Sequence, residues 1–227
     1  MSNLNNFLTK KHYIPNIYIY HKTRKKESKT MSIELKTKFG SIKKHLDNYT
    51  ASCIYIPEIA TKFNSILNQE FKKYNLNPVF VGEYFLDPQN PSQTRVFCHQ
   101  GTDACSPIPI TRGIIGRAIR TGQDQYVPDI TKDREHVQCD PNMEGSELVL
   151  ITWSDPYKII EFAGHSIPLG VLDLDLNVKN ALLYEDISAL REIWDVYGKK
   201  IFPGPPTFVP TAELIAASRY SRHKSAV

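Results

Sequence analysis

One cysteine and three acidic residues stand in segments whose composition suits thiol chemistry. Cys139 lies in H-V-Q-C-D, Glu147 in G-S-E-L-V-L, and Asp173 and Asp175 in L-G-V-L-D-L-D-L. An accessible thiol that ionises is a nucleophile, and carboxyl groups bind cations or donate protons. Together these residue types predict a thiol beside a cation-binding pocket.

The segment around Asp173 alternates between acidic and apolar residues. If it is a β-strand, Asp173 and Asp175 point to one face and the intervening leucines to the other. Two neighbouring carboxylates repel, so a half-buried pair needs a positive partner or a shared proton. An ammonium ligand would supply that partner, although two aspartates facing water explain this strand alone equally well.

The four cysteines contain no C-x-x-C pair, so neither a zinc ribbon nor a thioredoxin-type motif is expected. Cys53 and Cys98 have apolar neighbours and are expected to be buried as small hydrophobic residues. Cys105 and Cys139 lie in polar stretches typical of loops, where a thiol is accessible. His136, three residues before Cys139, is expected to face solvent, as loop histidines usually do.

Apolar periodicity predicts the elements that position these residues. A helix begins at Pro57, and a second one contains Ile187 to Ile201 and ends before P-G-P-P. Between them the pattern predicts a hairpin of P-V-F-V-G-E-Y-F-L and T-R-V-F-C-H, a short helix in T-R-G-I-I-G-R-A-I-R-T-G, and then three strands. These strands are E-L-V-L-I-T-W, Y-K-I-I-E-F-A and I-P-L-G-V-L-D-L-D-L, the last two joined at G-H-S. Residues 123–145 are expected to form a long site loop. This order predicts an α+β fold around a mostly antiparallel sheet.

Length and charge predict one domain with two extensions. The 227 residues, 41% of them hydrophobic, are ample for one core. Residues 1–48 carry 11 Lys and Arg against 3 Asp and Glu, so they are expected to form a flexible basic extension to a domain at 49–203, with 204–227 as a tail. The basic extension could bind nucleic acid or an anionic surface, but a solvated tail explains it better.

The sequence contains neither a clear secretory signal peptide nor about 18 consecutive apolar residues. The protein is therefore expected to be cytoplasmic and soluble, with no membrane partner and with nucleic acid an unlikely one. Homodimers are common among compact domains, and a homodimer is left open.

From about Pro57 to Phe202 the chain resembles a GAF domain and, within that superfamily, the free methionine-(R)-sulfoxide reductases. The matching segments follow the family's order: V-F-V-G-E-Y, G-T-D-A-C, G-I-I-G-R-A-I-R-T-G, V-P-D-I, H-V-Q-C-D, S-E-L-V-L and G-V-L-D-L-D. The resemblance implies the GAF fold and a thiol enzyme that reduces the R epimer of free methionine sulfoxide. It implies no metal and no organic cofactor.

The resemblance also implies roles for individual residues. Cys139 would attack the sulfoxide and Cys105 would resolve the sulfenic acid to a disulfide, which a thioredoxin-like dithiol then reduces. Which of the two cysteines attacks and which resolves is left open. The implied substrate-binding residues are an aromatic wall and three acids, namely Phe80, Tyr84, Glu147, Asp173 and Asp175.

Three positions depart from the family pattern. Ile115 stands where members with three redox cysteines have one, Phe80 stands where tryptophan is usual, and one additional residue separates Cys139 from Glu147. The alternative function is therefore a non-catalytic GAF module that binds a small molecule or acts in regulation, which would need the pocket but not the thiols. Cyclic nucleotides are a weaker form of this alternative because an acidic pocket repels phosphate.

Overall fold

The structure, a computed structural model, describes residues 40, 42–48, 55–87, 89–153 and 168–202. Cys53 lies outside these residues, as do the predicted strand Y-K-I-I-E-F-A, the turn G-H-S and the C-terminal tail. Within them, no helix is both long enough and apolar enough to cross a membrane.

Within the described residues, six strands form one sheet. They are β1 (Pro78–Leu86), β2 (Gln93–Gly101), β3 (Ile108–Pro109), β4 (Gln125–Val127), β5 (Ser146–Trp153) and β6 (Pro168–Leu176). The order across the sheet is β3-β2-β1-β6-β5-β4, and every neighbouring pair is antiparallel. The predicted α+β fold with an antiparallel sheet is confirmed, and β1 and β2 pair as the predicted hairpin.

Strands β3 and β4 are short edge strands that the sequence pattern does not predict. β4 and a 3-10 helix at Ile130–Lys132 lie within residues 123–145, so the expectation of one continuous loop there is wrong. A strand of two or three residues is too short to show alternation. Its position depends on pairing with a longer neighbour, which for β4 is β5.

Three helices cover one face of the sheet: α1 (42–48), α2 (Ile56–Lys72) and α4 (Tyr184–Ile201). The apolar stripes that predict α2 and α4 are buried against the sheet, because a helix with one apolar face is stabilised by covering it. Phe63 of α2 lies 5.5 Å from Trp194 of α4, measured between ring centroids. The two predicted helices are therefore confirmed.

The helical core extends to the N-terminal side of residue 49. Ile42 and Leu46 of α1 are almost completely buried and belong to the same apolar cluster as α2 and α4. The predicted division into an extension at 1–48, a domain at 49–203 and a tail at 204–227 stays a prediction, but these two side chains pack with the domain.

A buried carboxyl group lies inside this helical layer. Glu83 of β1 is fully buried and accepts a hydrogen bond from Asn64 Nδ2 at 3.0 Å. Burial raises the pKa of Glu83 to about 8, and the Asn64 hydrogen bond opposes the shift. Cys98, its partner across the β1–β2 pair, is a free thiol that is half-buried against the same core.

Helix α3 (Gly113–Thr121) lies on the opposite face of the sheet, over a second apolar cluster. It ends at Gly122, whose φ of +65° places it in the left-handed region that favours glycine at this position. This short helix is the one predicted between the two glycine-containing turns. The face of the sheet under α3 carries the acidic residues discussed next.

Candidate functional site

The register of three central strands brings the acidic residues together. Asp175 of β6 lies between Glu147 of β5 and Phe80 of β1, and Asp173 lies opposite Gly82 of β1. Residues opposite each other in adjacent antiparallel strands have side chains in contact on one face. The leucines that alternate with the aspartates, Leu172, Leu174 and Leu176, belong to the helical core instead, so the predicted alternation of this strand is confirmed. Asp173 is 5% exposed and does not face water.

The aromatic pair predicted from V-F-V-G-E-Y lines the same face. The ring centroids of Phe80 and Tyr84 lie 6.0 Å apart, and Phe80 stacks on His99 of β2 at 5.4 Å. Gly82 is required here, because a Cβ at this position would lie 2.8 Å from Phe80 Cζ. The absence of a side chain on Gly82 therefore makes room for the Phe80 ring.

Cys105 and Cys139 form a disulfide that borders this pocket. Their Cα atoms are 5.6 Å apart, although 34 positions separate them in the sequence. Cys139 is exposed, whereas Cys105 is half-buried and packs against the cluster under α3. Both lie outside helices and strands, as the composition of their segments predicts.

All the candidate site residues line one pocket, which encloses about 520 Å³ including its open mouth. Ile115 and His136 also line it. The predicted residues that the structure brings together there are Phe80, Tyr84, Cys105, Cys139, Glu147, Asp173 and Asp175.

His136 does not face solvent, so that expectation is wrong. Its side chain is 13% exposed, and its Nδ1 atom lies 3.0 Å from Glu147 Oε2. Its Nε2 atom is buried and has no hydrogen-bond partner among the described residues. The loop around it turns inward, because Glu135 O accepts a hydrogen bond from the backbone of Gly113 at 3.0 Å.

Burial and mutual repulsion raise the pKa values of the three acids. Burial raises the pKa of Asp175 to about 7, although the nearby His136 opposes the shift. The pKa values of Glu147 and Asp173 are raised well above the usual range, mainly by burial and next by the negative charge of Asp175. Burial lowers the pKa of His136. These shifts favour the protonated form of each acid and the uncharged form of His136, and Asp175, with a pKa of about 7, is partly ionised at neutral pH.

The three acids are also arranged to bind a cation. One oxygen from each carboxyl group lies within 4.8 Å of the others. The Oδ1 atoms of Asp173 and Asp175 are buried and have no hydrogen-bond partner in the part of the chain that the structure describes. Buried polar atoms without partners are unfavourable. A metal ion or an organic ammonium group would satisfy them.

Two arginines of α3 contribute to the site although the sequence pattern indicates only a packed helix there. Arg117 contacts both carboxylate oxygens of Asp133, at 3.1 and 2.7 Å, and Arg120 contacts Glu135 at 2.6 Å. These bonds fix the loop segment immediately before His136. The basic residues are visible in R-A-I-R, but their partners become apparent only when α3 packs beside the loop.

Curated proteins similar to this chain include reductases and a GAF domain protein. No family model matches the chain. It is 33% identical over 94 residues to the free methionine-R-sulfoxide reductase of Escherichia coli K12, and this aligned segment covers 41% of this chain and 50% of that protein. It is 28% identical over 112 residues to the enzyme of the same name from Saccharomyces cerevisiae, covering 49% and 57%. The chain thus spans about half the length of these relatives.

Solved structures share the fold. A structure of free methionine-R-sulfoxide reductase from Neisseria meningitidis in complex with its substrate aligns with a TM-score of 0.60 at 20% identity, covering 90% of this chain and 99% of that one. A structure of a GAF domain aligns with a TM-score of 0.61 at 22% identity, covering 74% and 88%. At these identities the likeness concerns the fold.

GAF domain-containing protein A of Dictyostelium discoideum is 31% identical over 121 residues, which are 53% of this chain and 68% of that protein. The share of that protein that aligns and the common fold agree with the resemblance to GAF domains that the sequence motifs indicate. The chain therefore belongs to the family of GAF domain proteins.

Proposed function

We propose that this protein reduces free L-methionine-(R)-sulfoxide to methionine with the thiols of Cys139 and Cys105. The observation that carries the proposal is the position of the Cys105–Cys139 disulfide, which lines the same pocket as three buried acids and two aromatic rings. Relatives named as free methionine-R-sulfoxide reductases support the same chemistry.

In the proposed reaction the Cys139 thiolate attacks the sulfur of the sulfoxide. The sulfoxide oxygen accepts a proton and is transferred to Cys139, so methionine leaves as the reduced product and Cys139 becomes a sulfenic acid. Glu147 donates the proton, because burial raises its pKa well above the usual range and so favours the protonated form. One pair of electrons thus passes from the thiolate to the sulfoxide.

The second half of the cycle forms the disulfide. The Cys105 thiol attacks the sulfenic sulfur, and the oxygen leaves as water. With the disulfide formed the two Cα atoms are 5.6 Å apart, which is within the usual range for this bond. An external dithiol of the thioredoxin type restores both thiols by exchange and becomes oxidised itself.

The acids and the aromatic wall suit a free amino acid. Asp173 and Asp175 offer carboxylates to the ammonium group, which a peptide-bound methionine lacks. The Phe80 and Tyr84 rings accept the methyl and methylene groups, since sulfur and apolar groups pack favourably on aromatic faces. Ile115 lies in the pocket wall and has no thiol, so the proposed cycle uses two cysteines.

Turnover of the R and S epimers with a thioredoxin reducing system tests this function. We expect the wild type to reduce the R epimer only, Cys139→Ser to be inactive, and Cys105→Ser to stop after about one turnover. Cys98→Ser is the matched control, since its thiol lies on the other face of the sheet, and it should keep wild-type activity.

Two other outcomes are informative. If Cys105→Ser is inactive and Cys139→Ser completes a single turnover, the attacking and resolving roles are reversed. If the folded wild type reduces neither epimer, even with a small-molecule dithiol, the reductase proposal is wrong, and binding of free methionine by calorimetry would then test the alternative of a non-catalytic GAF module.

A further inference from the structure

His136 lies beside the carboxyl group that the proposed reaction uses as an acid. Its Nδ1 atom is 3.0 Å from Glu147 Oε2, and both side chains are largely buried. Of the residues that line the pocket, it is the only histidine. At this distance the two groups share one hydrogen bond, and the tautomer of the imidazole decides which of them donates.

The protonation states of the pair follow from their surroundings. Burial lowers the pKa of His136, and burial with the neighbouring Asp175 raises the pKa of Glu147. Both shifts favour the uncharged forms, which are a neutral imidazole and a protonated carboxyl group. If the imidazole proton is on Nδ1, it is donated to Oε2, and the carboxyl proton is then on Oε1. The unpartnered Nε2 atom is in that case an acceptor, and an unpaired acceptor is less costly than an unpaired donor.

We propose that His136 is a positioning residue whose Nδ1–H bond to Glu147 Oε2 keeps the carboxyl proton on Oε1. This inference rests on the proposed function, in which that proton goes to the sulfoxide oxygen. Glu147 alone could hold its proton on either oxygen, whereas the hydrogen bond from His136 selects one.

The loop that carries His136 is built to hold it in place. His136 donates its backbone N–H to Asp133 O, and Glu135 donates its backbone N–H to Asp133 Oδ1 at 2.9 Å. The guanidinium of Arg117 holds Asp133, and that of Arg120 holds Glu135. These contacts with α3 therefore hold the backbone of His136, and the contact with Glu147 holds its imidazole ring.

Replacement of His136 by alanine and by asparagine tests the role. We expect His136→Ala to lower kcat/KM for the R epimer by about 10- to 100-fold, because the acid loses its orientation. Loss of an N–H donor to the carboxylate also raises the pKa of Glu147, so the alkaline limb of the kcat/KM profile moves to higher pH. Asparagine can donate an amide N–H from a similar position, so His136→Asn should restore most of the rate and the position of the limb.

Several titratable or charged groups face this pair and also influence the pH profile. They are Asp133 of the loop, Arg117 of α3, Asp173 and Asp175 of β6, and Tyr84 of β1. None of them is altered in the two His136 variants. His45→Ala is a matched control, because His45 forms a similar pair with Glu70 at 3.5 Å on the helical side, and its loss should change neither rate nor limb.

Nitrogen NMR of the imidazoles tests the same contact without turnover. We expect His136 in the wild type to be protonated on Nδ1 and not on Nε2, to keep this tautomer in Glu147→Gln, whose amide oxygen still accepts, and to lose it in Glu147→Ala. An Nε2–H tautomer in the wild type, or an alkaline limb that does not move in His136→Ala, would overturn the proposal. Absence of wild-type turnover together with the Nδ1–H tautomer would refute the reductase function but leave the His136–Glu147 contact intact.

Discussion

The carboxyl groups of Glu147, Asp173 and Asp175 lie too close together for all three to be ionised without a cation. Burial already disfavours the charged form of each, and each charge adds to the cost of the next. The group therefore titrates as a unit in which the protonated forms are favoured. A ligand with an ammonium group supplies the missing positive charge, so its binding releases protons to the solvent.

Asp173→Asn should weaken substrate binding more than it slows the chemical step. A hydrogen bond to a charged group contributes about 1.5–3 kcal/mol, so we expect KM for the R epimer to rise by about 10- to 100-fold with a smaller change in kcat. Steady-state kinetics with kcat and KM measured separately decide this. Glu144→Gln, a neutralised surface carboxylate that is 72% exposed, should change neither. A fall in kcat with KM unchanged would contradict the binding role.

Among the elements, those with a long periodic pattern are predictable from sequence alone. Helices α2 and α4 have apolar stripes over several turns, and β6 alternates throughout. The short strands β3 and β4 have no such pattern. The contact of His136 with Glu147 is also not predictable, because it depends on the loop packing beside α3, whereas the types and order of the motif residues were enough to indicate the pocket.

Helix α3 supports the loop that carries His136 through its two arginines, so Arg117→Ala should make this loop more mobile. Arg117 is 23% exposed and Asp133 15%, and loss of one partner leaves the other partly buried and unpaired. We expect faster amide hydrogen exchange at residues 133–140 in the reduced protein, and a fall in kcat/KM of about 10-fold. Arg95→Ala removes a comparable ion pair, with Asp87, and should leave exchange in the loop unchanged. Equal exchange in wild type and Arg117→Ala would show that the ion pair does not hold the loop.

For the whole molecule, the sheet separates two cores with different tasks. The helical core on one face contains the large apolar residues, and the cluster under α3 on the other face surrounds the pocket. The disulfide lies on the second face and joins two loops there. The larger apolar core and the candidate site thus lie on opposite faces of one sheet.

Oxidation should stabilise the protein, because the disulfide closes a loop with a sequence separation of 34 residues. Loop closure of this length lowers the entropy of the unfolded chain by an amount equivalent to about 3–4 kcal/mol. We expect the urea midpoint of the wild type to fall when a reductant is added. The Cys105→Ser variant lacks the bond and should show no such change, and a wild-type midpoint that ignores the reductant would contradict the expectation.

The buried Glu83 should lower the stability of the folded protein at alkaline pH, independently of its thiols. Its folded pKa of about 8 lies above the ordinary value of 4.5, so its contribution to stability is complete below about pH 4.5 and is lost as pH rises through 8. We expect Glu83→Gln to flatten the decline of the melting temperature between these values, and an unchanged decline would rule out this carboxyl group as its source. Glu83 shares β1 with Phe80 and Tyr84. Its ionisation on the opposite face of the sheet can therefore change the activity with pH and resemble the titration of a catalytic group. Activity profiles measured in the Glu83→Gln background separate these two titrations.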